Sequence, residues 1–323
     1  MCLADRNLWR TMWQTICLLA VGVVLCTLAS CGTGIEVTER VTDKDVRRVI
    51  EQADSHKQVV TLTAYSDSLP AWRSGKRFWV ADNQVKQLFA SSRDYDIDTV
   101  NIAGHTLSFV GYDTGDLFDN RQTVNLMLRD DADGKTYIYR TAKTIDEFKP
   151  GYAIPMLIDM DMVDHIARQV VGNDYFIRTP IWYNRQSEQM TEGRHFIKVH
   201  VDSVLPGNAV LPLRLWFTAT DDGQKAMVWM NDNTSAMRGR DFDAMFVVQD
   251  PHLSYPTISD ATWSHITRGE VTVGMTKEEC LLSLGNPKRI NTNPDQGGLR
   301  EYWYYDGGSY LFFVDGLLNQ FRR

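Results

Sequence analysis

Nowhere in its 323 residues does the chain carry a run of lysine or arginine, and its formal charge is −7. A nucleic-acid binder neutralises phosphates with clustered cations, so no nucleic-acid partner is expected. Cysteine is scarce: five residues, with no C-x-x-C and no H-x-x-x-H spacing, leave neither a zinc module nor a disulfide framework to read. The P-loop, dinucleotide, G-x-S-x-G and H-E-x-x-H fingerprints are also missing. Long apolar runs are limited to residues 16–28, about a dozen positions against the ~20 that a bilayer-spanning helix needs. What remains is an ordinary globular composition, 43% apolar and 23% charged, long enough for two or three domains.

The apolar run follows Arg6 and Arg10 and ends in Leu28-Ala29-Ser30-Cys31, so residues 1–30 read as a signal peptide with small residues at its exit. Leu-Ala-Ser-Cys resembles the lipobox of bacterial lipoproteins, and the resemblance implies that Cys31 is acylated and begins the mature chain. Cysteine counting agrees with this. Cleavage discards Cys2, Cys17 and Cys26 and leaves Cys31 and Cys280, and lipidation spares the exported protein one of two free thiols. Removal of residues 1–30 takes away Asp5, Arg6 and Arg10, a net +1, and leaves −8, which offers no attraction to anionic lipid. The acyl chains are therefore the expected hold on the membrane. Gly32 follows Cys31 in place of the Asp that would resemble an inner-membrane retention signal, which points to the outer membrane with the folded mass facing the periplasm.

Residues 31–58 read as a tether with a helix over 43–53, where Val46, Val49 and Ile50 share a face. From residue 59 the pattern turns to short β-type runs, at 59–64, 77–81, 106–112, 123–128 and 136–141, with Asp133-Gly134 as a hairpin turn. A second series follows at 175–179, 196–204, 211–218 and 225–230, with Asp222-Gly223 at the corresponding turn. From His105 to Gly134 is 29 positions and from His195 to Gly223 is 28, and an acidic-aromatic piece follows each series. The sequence thus predicts a diverged tandem repeat of two small barrel- or meander-like β units, residues 59–150 and 168–249. A short helical connector at 151–167 lies between them, on the spacing of Ile158, Met162 and Ile166 in an apolar stripe that reaches Val170.

Residues 250–262 read as a linker into a last domain, 263–323. There Thr276 and Glu279 form a capping box, Gly285 stops the helix, and β runs at 299–305, 310–314 and 317–321 are parted by Asp306-Gly307-Gly308 and Asp315-Gly316. Gly274-Met275-Thr276, Leu284-Gly285-Asn286-Pro287, Trp303-Tyr304-Tyr305 and Phe313-Val314-Asp315-Gly316 together resemble the BamE/SmpA-type lipoprotein domain, the ααβββ fold shared with proteinaceous β-lactamase inhibitors. The resemblance covers about 60 residues and implies that fold; a role in outer-membrane protein assembly or envelope maintenance is its functional implication. The fold class read from the whole chain is α+β and β-dominated, two β units followed by an ααβββ domain.

Chemistry is thin. Asp159, Asp161, Asp164 and His165 are the densest set of metal-type ligands, and they equally suit the first turn of a helix. Asp130-Asp131-Ala132-Asp133-Gly134 does not complete a calcium loop, because Arg140 falls where the bidentate Glu belongs. Cys280 sits on the side of its helix expected to be buried. No catalytic residue, metal or cofactor is assigned. The function read is a non-enzymatic protein-binding or scaffold module with an envelope protein as partner. Its alternatives are a glycan- or peptidoglycan-binding module using Trp182, Tyr183, Trp216 and Trp229, and a metal-binding hydrolase. Strand alternation puts Trp303, Tyr305, Leu311 and Phe313 towards the helices and leaves Tyr302, Tyr304, Tyr310 and Phe312 on the other side, the candidate partner-binding face.

Overall fold

The computed structural model describes residues 61–90, 96, 98–116, 122–232, 239–295 and 298–322, all within the compact unit His56–Arg323. The segment read as a signal peptide, Cys31 and the helix expected at 43–53 lie outside the described residues. Those residues form an α+β, β-dominated body with three antiparallel sheets and three hydrophobic cores.

The first sheet has the order β4-β3-β2-β1-β5, from β1 (Arg77–Val80), β2 (Thr106–Asp116), β3 (Gln122–Asp130), β4 (Thr136–Arg140) and β5 (Leu157–Asp159). Alternation along β3 and β4 sends Val124, Leu126, Leu128, Tyr137 and Tyr139 into one core, where Phe89 stacks on Tyr137. Helix α1 (Met160–Val170) follows directly. In the connector expected at 151–167 the helix begins only at Met160, because Leu157–Asp159 pairs with β1 instead, and Asp159 then caps α1 by accepting the Asp161 amide.

The second sheet is built from β6 (Asp174–Ile177), β7 (Ile181–Tyr183), β8 (Met190–Glu192), β9 (Ile197–Pro206), β10 (Leu213–Ala219), β11 (Lys225–Met230) and, after the short α2 (Phe242–Met245), β12 (Phe246–Val247). Its order is β12-β6-β9-β10-β11-β7-β8. Met162, Val163, Ile166 and Val170 of α1 join its core. Leaving aside the β7–β8 hairpin, which adds to the β11 edge, the order reads as that of the first sheet.

The registers agree as well. Leu107 opposes Phe78 and Asp130 as Val199 opposes Tyr175 and Ala219. Each second strand bulges one residue beyond a matching position, at Val110 and at Asp202. The Gly75 amide donates to Phe109 and the Gly172 amide to Val201. This register makes Ile197, not His195, the counterpart of His105, so the alignment drawn from the histidine spacing is displaced by two residues. The strand expected at 59–64 is not formed over its described part, residues 61–64. There Leu62 enters the core beside α1, and Gln169 and His165 of the helix take the backbone groups of Thr63.

The C-terminal part comprises α3 (Asp260–Thr267), α4 (Lys277–Leu284), β13 (Arg289–Asp295), β14 (Gly298–Tyr304), β15 (Tyr310–Val314) and β16 (Leu317–Arg322), the strands in sequential order. Both arms of the Thr276/Glu279 capping box are made. The sheet has four strands rather than three. Asn-rich Arg289–Asp295 has little β-propensity of its own, and pairing along the whole length of β14 supplies its order.

Candidate functional site

The register of the third sheet turns its outward side chains into cross-strand rows. One row reads Arg289, Tyr304, Tyr310, Arg322 and the next Asn291, Tyr302, Phe312, Gln320. The inward set is core: Trp303, Leu311 and Phe313 are buried against Trp263, Ile266 and Cys280. Glu301, only 3% exposed, lies on this inward side too, where it accepts the Trp303 indole N–H at 3.1 Å and pairs with Lys277. Tyr305 sits at the margin of the same core and donates its hydroxyl to the Gly285 carbonyl.

Outside, Tyr302 and Phe312 stack with centroids 4.6 Å apart and planes 27° from parallel. The guanidinium of Arg289 lies 4.4 Å from the centroid of Tyr304. All four candidate aromatics are half-buried, and none belongs to a described hydrophobic core. They lie on the side of the sheet opposite the helices, and it is the helical side that meets the second sheet: the His195 amide donates to Thr267, and Phe196 packs on Trp263.

Sequence reasoning placed the four aromatics but missed the arginines that bracket them. Arg289 could not be assigned to a face without the strand β13, and Arg322 required the register of β16. The shift between Phe312 and Phe313 sets that register.

The acidic set near α1 is drawn together around a different group. The Lys76 ammonium, on a side chain 3% exposed, lies 2.7 Å from Asp159, 2.9 Å from Asp161 and 3.2 Å from Asp67. It also donates to the Tyr65 hydroxyl at 3.1 Å, with the Tyr65, Trp72 and Phe78 rings around it. Burial alone would lower its pKa; the Asp159 and Asp161 carboxylates outweigh that and hold it above its ordinary value. Asp164 faces Arg77, and His165 donates Nε2 to the Thr63 carbonyl. A lysine thus occupies the place a cation would take. Among the described residues no three His, Cys, Asp or Glu side chains are grouped as metal ligands.

The aromatics proposed for a glycan divide. Trp182 is fully buried, donating its indole N–H to Thr179. Tyr183, Trp216 and Trp229 share one face of the second sheet, where Arg185 covers Trp216 and Arg214 covers Trp229 at 5.8 Å. Arg185 is itself pinned by Asp202 and by the carbonyls of Phe217 and Ala226.

No family model, curated protein or solved structure matches the chain. A cleft of about 450 Å³ between the second sheet and α3 is floored by Phe176, Phe196 and Trp263. Its arginines are spent internally, Arg194 on Asp221 and Asp222 and Arg268 on Glu270, and the His252 ring is hydrogen-bonded to Asp250. Cys280 is buried, and burial pushes its thiol up to about 12, so it is a small core residue with no nucleophile to offer.

Proposed function

We propose that this is a bacterial cell-envelope lipoprotein, held in the outer membrane by acyl chains on Cys31 and facing the periplasm. It acts without catalysis as a protein-binding or assembly module, and its docking surface is the face formed by Tyr302, Tyr304, Tyr310 and Phe312. In this reading the two central sheets are copies of one β unit and the C-terminal part is a BamE/SmpA-like domain, so outer-membrane protein assembly or envelope maintenance is the setting. The observation that carries the reading is the Tyr302–Phe312 stack on the sheet side opposite the helices. Aromatic clusters outside a core concentrate interface energy, at about 2 kcal/mol or more for each central residue.

The arrangement favours protein over glycan. A sugar ring is gripped by open aromatic faces, whereas here Tyr302 and Phe312 cover each other and Arg289 covers Tyr304. A metal-dependent hydrolase finds little support, because the Lys76 ammonium already occupies the space between Asp159 and Asp161.

Two measurements test the proposal. Replacing Tyr304 and Phe312 by Ala should abolish recovery of the crosslinked envelope partner and leave the melting temperature nearly unchanged. A fall of many degrees with the partner retained would make the face internal packing. Fatty-acid label should disappear in Cys31→Ser, and label that persists would refute the anchor.

A further inference from the structure

The outward positions of the third sheet are segregated by charge. Across Arg289–Asn293, Arg300–Tyr304, Tyr310–Val314 and Leu317–Arg322 they hold three arginines and no carboxylate, in a chain of net charge −7. The one carboxylate within those stretches, Glu301, points inward and is consumed by Lys277 and Trp303. The arginines are not scattered. Arg289 and Arg322 end a single row whose two middle positions are Tyr304 and Tyr310, so their Cα atoms stand roughly 14 Å apart, three strand spacings. Guanidinium groups and tyrosine hydroxyls are hydrogen-bond donors, matched by carboxylate oxygens.

We infer that the partner presents an acidic protein segment, with two carboxylate side chains roughly 14 Å apart that meet Arg289 and Arg322 and an apolar side chain between them that seats on Tyr304, Tyr310 and the Tyr302–Phe312 stack. In an extended segment, at ~3.4 Å per residue, that separation corresponds to acidic residues about four positions apart. This inference rests on the docking reading above and adds the chemistry of the occupant. The guanidinium-to-carboxylate contacts supply register and steering, and the aromatic stack supplies the desolvated centre.

The experiment places a photo-crosslinking benzoylphenylalanine at Gln320, an exposed position beside the row, in the full-length lipidated protein in its own cells. Adduct yield is compared in three backgrounds: otherwise unaltered, Arg289→Glu with Arg322→Glu, and Tyr302→Ala with Phe312→Ala. The expected result is an adduct whose captured peptide carries two Asp or Glu flanking an apolar residue, with yield lowered about tenfold or more by the charge reversal and depending on salt. A second arm adds back the synthetic captured peptide and its Lys-for-Glu version; only the acidic form should compete. An adduct lost in the aromatic variant but unchanged by charge reversal overturns the acidic-segment inference and leaves protein docking standing. An adduct on glycan overturns both, as does a yield indifferent to both variants or no adduct at all.

Discussion

Gly134 and Gly223 close the same turn in two different sheets. Each donates its amide to the carbonyl four residues earlier, Asp130 at 2.9 Å and Ala219 at 3.0 Å, with φ of 76° and 74°. That left-handed backbone is what Gly supplies without steric cost. Gly134→Ala and Gly223→Ala should therefore each cost about 1 kcal/mol in chemical denaturation. They should add in the double variant, since the two hairpins serve separate cores. A difference between them much beyond about 1 kcal/mol would show that the two turns are not under the same backbone constraint.

Lys76 holds three carboxylates that would otherwise face one another at the joint between β1 and α1. Lys76→Met removes the cation and leaves Asp159 partly buried without its partner, so stability should drop by about 3–5 kcal/mol, as when one side of a buried ion pair is deleted. Asp159→Asn should cost less, because burial already pushes that carboxyl above its usual range. Urea titration of the two variants checks the order, and a Lys76→Met protein as stable as the unaltered one would remove the cluster from the list of structural supports.

The parts of the fold legible in the sequence were those with local signals. The Asp-Gly turns, the Thr276/Glu279 capping box and the alternation in β14 and β15 each stand in the structure near where the residues put them. What escaped was set by distant partners. Leu157–Asp159 sits within a helical apolar pattern yet is captured by β1, and Arg289–Asp295 is a strand because β14 pairs with it. The hairpin of β7 and β8 is too short, three residues in each strand, to show a period. For the candidate site, alternation sufficed to find the four aromatics, whereas the bracketing arginines depend on cross-strand register, which one strand's sequence does not contain.

His195 links acidification to the meeting of the second sheet with the C-terminal helices. The residue is 4% exposed, and burial lowers its pKa from 6.5 to about 4, with the Leu282 and Ile266 carbonyls holding back part of the shift. A histidine depressed in the fold is neutral there while the unfolded chain binds a proton, so its contribution is intact above about pH 6.5 and is lost as pH falls towards 4. The loss is of order 3 kcal/mol over that window. Stability measured from pH 7 downwards should fall less steeply in His195→Gln than in the unaltered protein. Parallel curves would mean that the histidine binds its proton in the fold as readily as in the unfolded chain.

The cysteines count the processing steps at the N-terminus. Cys280 is fully buried with its thiol pushed up to about 12, so in the folded protein at neutral pH it is both inaccessible and protonated. Thiol reagents should find nothing to modify in the native protein purified from membranes. After unfolding in guanidinium the count depends on what happened at the N-terminus. A chain cleaved before Cys31 and acylated on its sulfur exposes one thiol, that of Cys280; a chain cleaved but not acylated exposes two; and an uncleaved, unmodified chain exposes five. One thiol per chain is the expected result, with mass spectrometry locating it in the peptide containing Cys280. Two would remove the lipid anchor while leaving export intact, and five would remove both.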